Sequence, residues 1–465
     1  MTTKATYRET FKQKLPFCLL MLCLMVMTAC GNLYTGDETI FDPDRDETIK
    51  EESVPVMVAF DDPYYNILSR GVGKIDPEDE WFNGKMNPVN EDGTPNVDAK
   101  PRFFIYAFRK NNPYGYDITR EYDPDICLVD GSCGMQKEYA KTYPEEMLEG
   151  HGKWAYYNGN GSFATWRFTD DKLFYSDKEQ FLPYEFFAYY HDGAASGPVV
   201  RTRDEISFPV KIDGSHDLMC GVAKLTEEQL AAIETMEDEE EKQQIQEFHY
   251  STYSGRRNIW PIFQMRHQLA YVRINLIAGN AFGDAVKVHD LKLETHTEGN
   301  FVVVNREKDV KAIFPGNAGI EQLSLRNIKT GQPILKESEI ETDDTWEKRD
   351  IYLEWNEDGT QPPAITAGEL LIPPGNNVIL HTWLSNGDTH WEEEHTELPI
   401  GDKVETNMGD YMAKGFVAGK TYNLNITVYG PKQISIDVEA TPWKDGGDVD
   451  VDIEENQYIR NHKSK

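Results

Sequence analysis

Along most of the chain, apolar residues come in short runs that alternate with polar ones and are broken by Gly, Pro, Asn and Asp. A period of two puts successive side chains on opposite faces of an extended segment, so these runs predict strands. The clearest lie at 54–60, 103–108, 184–189, 286–293, 422–428 and 434–438. One stretch departs from the rule. Thr226-Glu-Glu-Gln229 has the form of a capping box, and Leu230, Ile233 and Met236 follow at helical spacing, which predicts a helix over 226–248. The acidic run 237–241 then lies on its solvated face, a more economical reading than a cation site. Together the pattern predicts an all-β protein of two β-sandwich domains, at 52–222 and 259–453. A short acidic helical insert at 223–258 stands between them, and a tail at 454–465 ends the chain.

The N-terminus has a different character. Lys4, Arg8, Lys12 and Lys14 precede an apolar run at 15–27, which has signal-peptide length and is too short to span a bilayer. It ends in Met27-Thr28-Ala29-Cys30, which resembles a lipobox. Residues 1–29 are therefore read as a lipoprotein signal peptide and Cys30 as the lipidated first residue of the mature chain. The alternative is an ordinary signal peptide cut near Ala29. Residues 30–51 are polar and turn-rich, as a flexible tether between lipid and fold should be.

Removing residues 1–29, with four basic residues and one acidic, takes the formal charge from −33 to about −36. Such a surface repels phosphate backbones and excludes nucleic acid as a partner. Of the six cysteines, Cys18 and Cys23 leave with the signal peptide. Cys127 and Cys133 bracket an Asp-Gly turn and form a candidate disulfide in an oxidising envelope, which leaves Cys220 odd and expected to be buried.

Motifs for chemistry are missing. The chain has no phosphate-binding glycine loop, HExxH, GxSxG or CxxC, so neither catalytic residues nor a cofactor or metal are expected and the protein is read as a non-enzyme. His390 and His395 flank an acidic run but are five apart, which puts them on opposite faces of a strand and aligns them poorly on a helix. With 80 Asp and Glu residues, carboxylate pairs are too common to point to glycoside hydrolysis. The aromatic clusters at 154–157 and 186–190 could stack on sugars, but aromatics in strands more often pack in the core.

An ordered set of segments carries a resemblance. Phe208-Pro-Val-Lys-Ile-Asp-Gly-Ser-His-Asp-Leu-Met219 is followed by Pro261-Ile-Phe-Gln-Met-Arg-His-Gln-Leu-Ala270 and Gly368-Glu-Leu-Leu-Ile-Pro-Pro374. Gly419-Lys-Thr-Tyr-Asn-Leu-Asn-Ile-Thr-Val428 and Ile434-Ser-Ile-Asp-Val-Glu-Ala-Thr-Pro-Trp443 complete it. With the lipobox and the β-rich pattern, the chain resembles the fimbrillin family of Bacteroides-type bacteria, the type V pilins and their accessory subunits. The acidic helical insert departs from that family's common pattern.

The resemblance implies two transthyretin-like sandwiches and a lipidated precursor carried to the outer membrane. There an arginine-directed protease removes an N-terminal strand, and a strand from a neighbouring subunit fills the groove. Partners would be other fimbrial subunits, the outer membrane through the lipid, and a host or bacterial surface ligand. On this sequence the groove strand is Val54, Val56, Val58 and Phe60, whose side chains share one face. Cleavage is expected after Arg70; Arg45 is the alternative, but a cut there leaves the strand in place. The candidate donor is the tail strand with Val449, Val451 and Ile453 on one face; an edge strand kept soluble by its aspartates is equally compatible with that pattern. A lipid-anchored surface glycan-binding protein is the alternative function.

Overall fold

A computed structural model of the chain describes residues 53–60, 102–116, 126–131, 150–157, 163–166, 173–176, 178–279, 286–316, 319–327, 332–333, 351–356, 358–386, 394–408, 412–442 and 450–451. The signal sequence with Cys30, the tether with Arg45, and Arg70, Cys133, His390, Val449, Ile453 and the 454–465 tail lie outside the described residues.

The strands assemble into two sandwiches, so the fold is all-β. In the first, sheet A has the order Arg266–His267, Met219–Val222, Tyr184–Tyr190, Arg102–Arg109, Lys153–Tyr156, Thr165–Trp166, with Cys127–Val129 also paired to Arg102–Arg109. Sheet B runs Lys311–Ile313, Glu298–Asn305, Glu205–Lys211, Val200–Arg201. The two central strands of sheet A read RFFIYAFR and YEFFAYY, and such aromatic and β-branched residues favour a pleated, covered surface. Residues 103–108 are buried without interruption, because sheet A is covered on both sides. On one side Phe104 stacks with Tyr189 at 5.1 Å, and Tyr189 meets Phe208 of sheet B at 5.6 Å. On the other, Phe103 meets Phe60 at 4.4 Å.

The second sandwich keeps the simpler alternation. Its sheet C has the order Gln332–Pro333, Arg326–Asn327, Ile365–Ile372, Ala270–Ala278, Lys420–Gly430, Gln433–Pro442, Asp450–Val451. Tyr422, Leu424, Ile426 and Val428 point into the core while the residues between them are half-buried. Ala270–Ala278 and Lys420–Gly430 pair in parallel, and their other neighbours are antiparallel. Sheet D runs Ile320–Ser324, Val286–His296, Ile379–Asn386, Glu394–Pro399, with Ile351–Leu353 also paired to Val286–His296.

The helical stretch differs from the single helix expected over 226–248. It forms two helices, Glu227–Glu234 and Glu239–Glu247, followed by a short turn of helix at Thr252–Gly255. The Thr226 and Gln229 capping box opens the first helix as expected. The break occurs because Asp238 turns its carboxylate onto the Glu240 and Glu241 amides, at 2.8 and 3.3 Å, and starts a new helix. Ile233, Ile245, Tyr250 and Tyr253 all enter the first core, so this segment is built into the first sandwich.

The cores divide the chain differently from a single helical junction. Apolar residues through Leu269 belong mainly to the first core, and the chain returns to it later, when Glu298–Asn305 pairs antiparallel with Glu205–Lys211. That strand continues Val286–His296 of sheet D with only Thr297 between them, so one extended run serves both sandwiches. Near this crossing, Leu371 N donates to Gly214 O at 2.8 Å, and Lys211 Nζ lies 2.5 Å from Glu321 Oε1.

Candidate functional site

Residues 54–58 follow the alternation read from the sequence, and Ala59 is buried together with Phe60. Val54, Val56, Val58 and Phe60 are all buried in the first core, whereas Pro55 is exposed and Met57 half-buried. The backbone shares its hydrogen bonds among several neighbours. Val56 N donates to Leu173 O at 2.7 Å, Val54 O accepts from Tyr175 N at 3.0 Å, and Val58 O accepts from Ala164 N at 2.9 Å. On the other side Ala59 N donates to Pro261 O at 3.0 Å, and Ala59–Phe60 pairs in parallel with Ile262–Phe263. Among the described residues Ala59–Phe60 forms a two-residue ladder, and the rest is held by bridges and by Trp166 Nε1, which donates to Val56 O at 3.0 Å.

The side chains sit on the face of sheet A that points away from sheet B. Phe60 meets Phe103 at 4.4 Å, Phe263 at 5.7 Å and Tyr157 at 5.8 Å, all between ring centres. At the other end Val54 closes over Gly255, where an added Cβ would come 2.8 Å from Val54 Cγ1, so a larger residue there meets the strand. Burial pushes the phenols of Tyr175 and Tyr250 up, which keeps these neighbours neutral. The seat is thus an apolar trench lined by backbone amides and carbonyls, suited to binding an extended apolar segment. Covering four such side chains stabilises the seated strand by about 6–12 kcal/mol as an upper bound. A trench left empty would bear that cost.

The other residues singled out by the sequence fall in different places. Asp450–Val451 pairs antiparallel with Val438–Glu439 at the edge of sheet C, and Val449 and Ile453 lie outside the described residues. The candidate pair Cys127 and Cys133 is half seen: Cys127 Sγ is buried 3.9 Å from Asp130 Oδ2, and Cys133 lies outside. Cys220 is buried, and desolvation pushes its thiol up, as suits an inert core residue. The aromatic clusters are mostly packing: Trp154, Tyr157 and Phe186 through Tyr190 are buried, and Tyr156 is half-buried.

The alternation of 54–58 is legible in the sequence, and the residues that seat it are not. Ala164, Trp166, Leu173 and Tyr175 lie in short segments without measurable periodicity, and Pro261 and Phe263 follow the helical stretch. Their roles come from long-range pairing, and no local signal marks them.

No family model matches the chain and no curated protein matches it. Among solved structures it is similar to a candidate cell adhesion protein from Bacteroides uniformis, with 12% identity and a TM-score of 0.39 over 84% of this chain and 99% of that one. It is also similar to the fimbrial anchor protein Mfa2 from Porphyromonas gingivalis, at 11% identity and a TM-score of 0.28 over 74% of this chain and 89% of that one. The C-terminally truncated tip fimbrial protein Mfa3 of the same organism is similar at 8% identity and a TM-score of 0.29, over 74% and 94% of the two chains.

Proposed function

We propose that this chain is a structural and adhesive subunit of a cell-surface fimbria, exported as a lipoprotein through Cys30 and assembled by protease-triggered strand exchange. The observation that carries the proposal is the seating of residues 54–60: four apolar side chains in a trench, with few ladder bonds to hold the backbone. Arg70 follows Phe60 by ten residues in the sequence. A cut there leaves the strand attached to its body by packing and hydrogen bonds alone. An incoming strand that offers apolar side chains at the same period of two replaces it at little net cost. The tail strand with Val449, Val451 and Ile453 supplies that pattern. A head-to-tail contact of this kind repeats without closing and gives a filament. Anchorage in the outer membrane, neighbouring subunits as partners and a surface ligand follow from the same reading. The alternative is a glycan-binding lipoprotein, and the burial of most of the aromatic cluster residues supports the fimbrial reading over it.

The test uses the chain from Gly31 onward, without lipid, treated briefly with trypsin. Mass spectrometry finds the new N-terminus while light scattering follows size. Cleavage after Arg70 followed by concentration-dependent oligomers is the expected result. A chain cut there, with loss of 54–60 verified, that remains monomeric overturns the assembly reading.

A further inference from the structure

On the polar face of sheet D, strands Ile379–Asn386 and Glu394–Pro399 pair antiparallel, with His381 opposite Glu397 and Trp383 opposite His395. Side chains two apart on a strand share a face, so this register gathers His381, Trp383, His395 and Glu397 in one patch. Glu294, on the other neighbouring strand, reaches the same place. His381 Nδ1 lies 3.1 Å from His395 Nε2 and 3.9 Å from Glu397 Oε1. The three ligand atoms all fall within 4.8 Å of one another.

We propose that His381, His395 and Glu397 form a binding site for a divalent transition-metal ion of the Zn2+ type, with water in the remaining position. A tetrahedral zinc ion with bonds of about 2.0–2.1 Å sets its ligand atoms about 3.3 Å apart; the two imidazole nitrogens already stand at that spacing, and the Glu397 carboxylate closes in by a small swing. Two imidazoles and a carboxylate are a donor set that such an ion takes in preference to calcium or magnesium.

The surroundings prepare the ligands. The Nε2 of His381 lies 3.2 Å from Glu294 Oε2, and an Nε2–H donated to that carboxylate leaves the Nδ1 lone pair turned toward His395. His381 is almost wholly covered, so its ring has little freedom to turn away. The His395 ring is held by Trp383, which stacks on it at 4.5 Å with planes 12° apart. Lys292 lies 5.3 Å from the centre of the same indole. The Glu397 side chain is 62% exposed and can swing onto the ion, and this side of the site is open to water. Without an ion, the His381 Nδ1 and His395 Nε2 atoms share a hydrogen bond of 3.1 Å that binding replaces.

In the sequence the histidine nearest His395 is His390, five residues away, which lies outside the described residues. The partner that the fold supplies is His381, fourteen residues away across a strand pair.

The experiment strips the full mature chain with a chelator, exchanges it into chelator-free buffer, and titrates it with Zn2+ by calorimetry, following Tm in parallel. The expected result is one saturable equivalent per chain and a rise in Tm. Co2+ in place of Zn2+ gives the intense visible absorption of a tetrahedral site. His395→Ala and Glu397→Gln, both at exposed positions that leave the core intact, weaken binding at least tenfold, and Glu294→Gln weakens it about tenfold. Absence of saturable binding overturns the proposal. So does affinity unchanged in His395→Ala, or affinity lost only in His390→Ala.

Discussion

Buried polar side chains in the first sandwich are where single substitutions should tell most. Arg201 forms a two-point pair with Asp130, at 2.6 and 2.7 Å, and donates again to Gly150 O at 2.7 Å. Tyr106 donates to that same carbonyl at 2.5 Å. Both charged side chains are largely covered, so Arg201→Ala strands a carboxylate in the core and should cost about 3–5 kcal/mol in urea unfolding. Arg201→Lys keeps the charge without the fork and should fall between. Two histidines set the response to acid. Burial holds His151 down to about 3, with His191 and Arg201 adding to the effect, and burial holds His191 down to about 4. The unfolded chain takes up those protons near pH 6.5, whereas the folded chain does not. Stability contributed by the neutral rings is therefore complete above pH 6.5 and declines as pH falls, by about 3 kcal/mol per histidine at pH 4. Urea midpoints measured from pH 7 to 4 should show this fall, and His191→Phe should flatten a good part of it.

Among elements, the apolar period of two over 54–60 was legible in the sequence, and burial follows it from Val54 to Val58 before Ala59 and Phe60 are both covered. Its hydrogen-bond partners were not legible, since they are fixed by segments more than 100 residues away along the chain. The helical stretch shows the opposite failure. Its start was written locally in Thr226 and Gln229, but the acidic run concealed a second N-cap, because Asp238 looks like any other carboxylate in it until its backbone turns. Thr226→Ala should lower stability by about 1 kcal/mol, and Asp238→Ala by a similar amount, by urea unfolding. Gly255→Ala probes the strand directly. Its new methyl group meets Val54, so hydrogen exchange of 54–60 should rise in the intact chain while the amides of sheet C keep their protection.

For the whole molecule, charge and topology act together. Copies cut after Arg70 each carry a formal charge near −29 and repel one another over about 10 Å at 0.1 M salt. Assembly after strand removal should therefore quicken as salt rises, by roughly tenfold between 10 mM and 0.5 M, when followed by light scattering. A rate that falls with salt would point instead to attraction between oppositely charged patches. The topology has a mechanical side. Residues 286–305 form an almost unbroken extended run of roughly 65 Å that is shared by both sandwiches. Hydrogen bonds in antiparallel ladders lie across their strands. A pull along this run loads the bonds to Ile379–Asn386 and to Glu205–Lys211 in shear, so that many must fail together. Under tension the two sandwiches then bear load as one link, with no slack hinge between them to yield first.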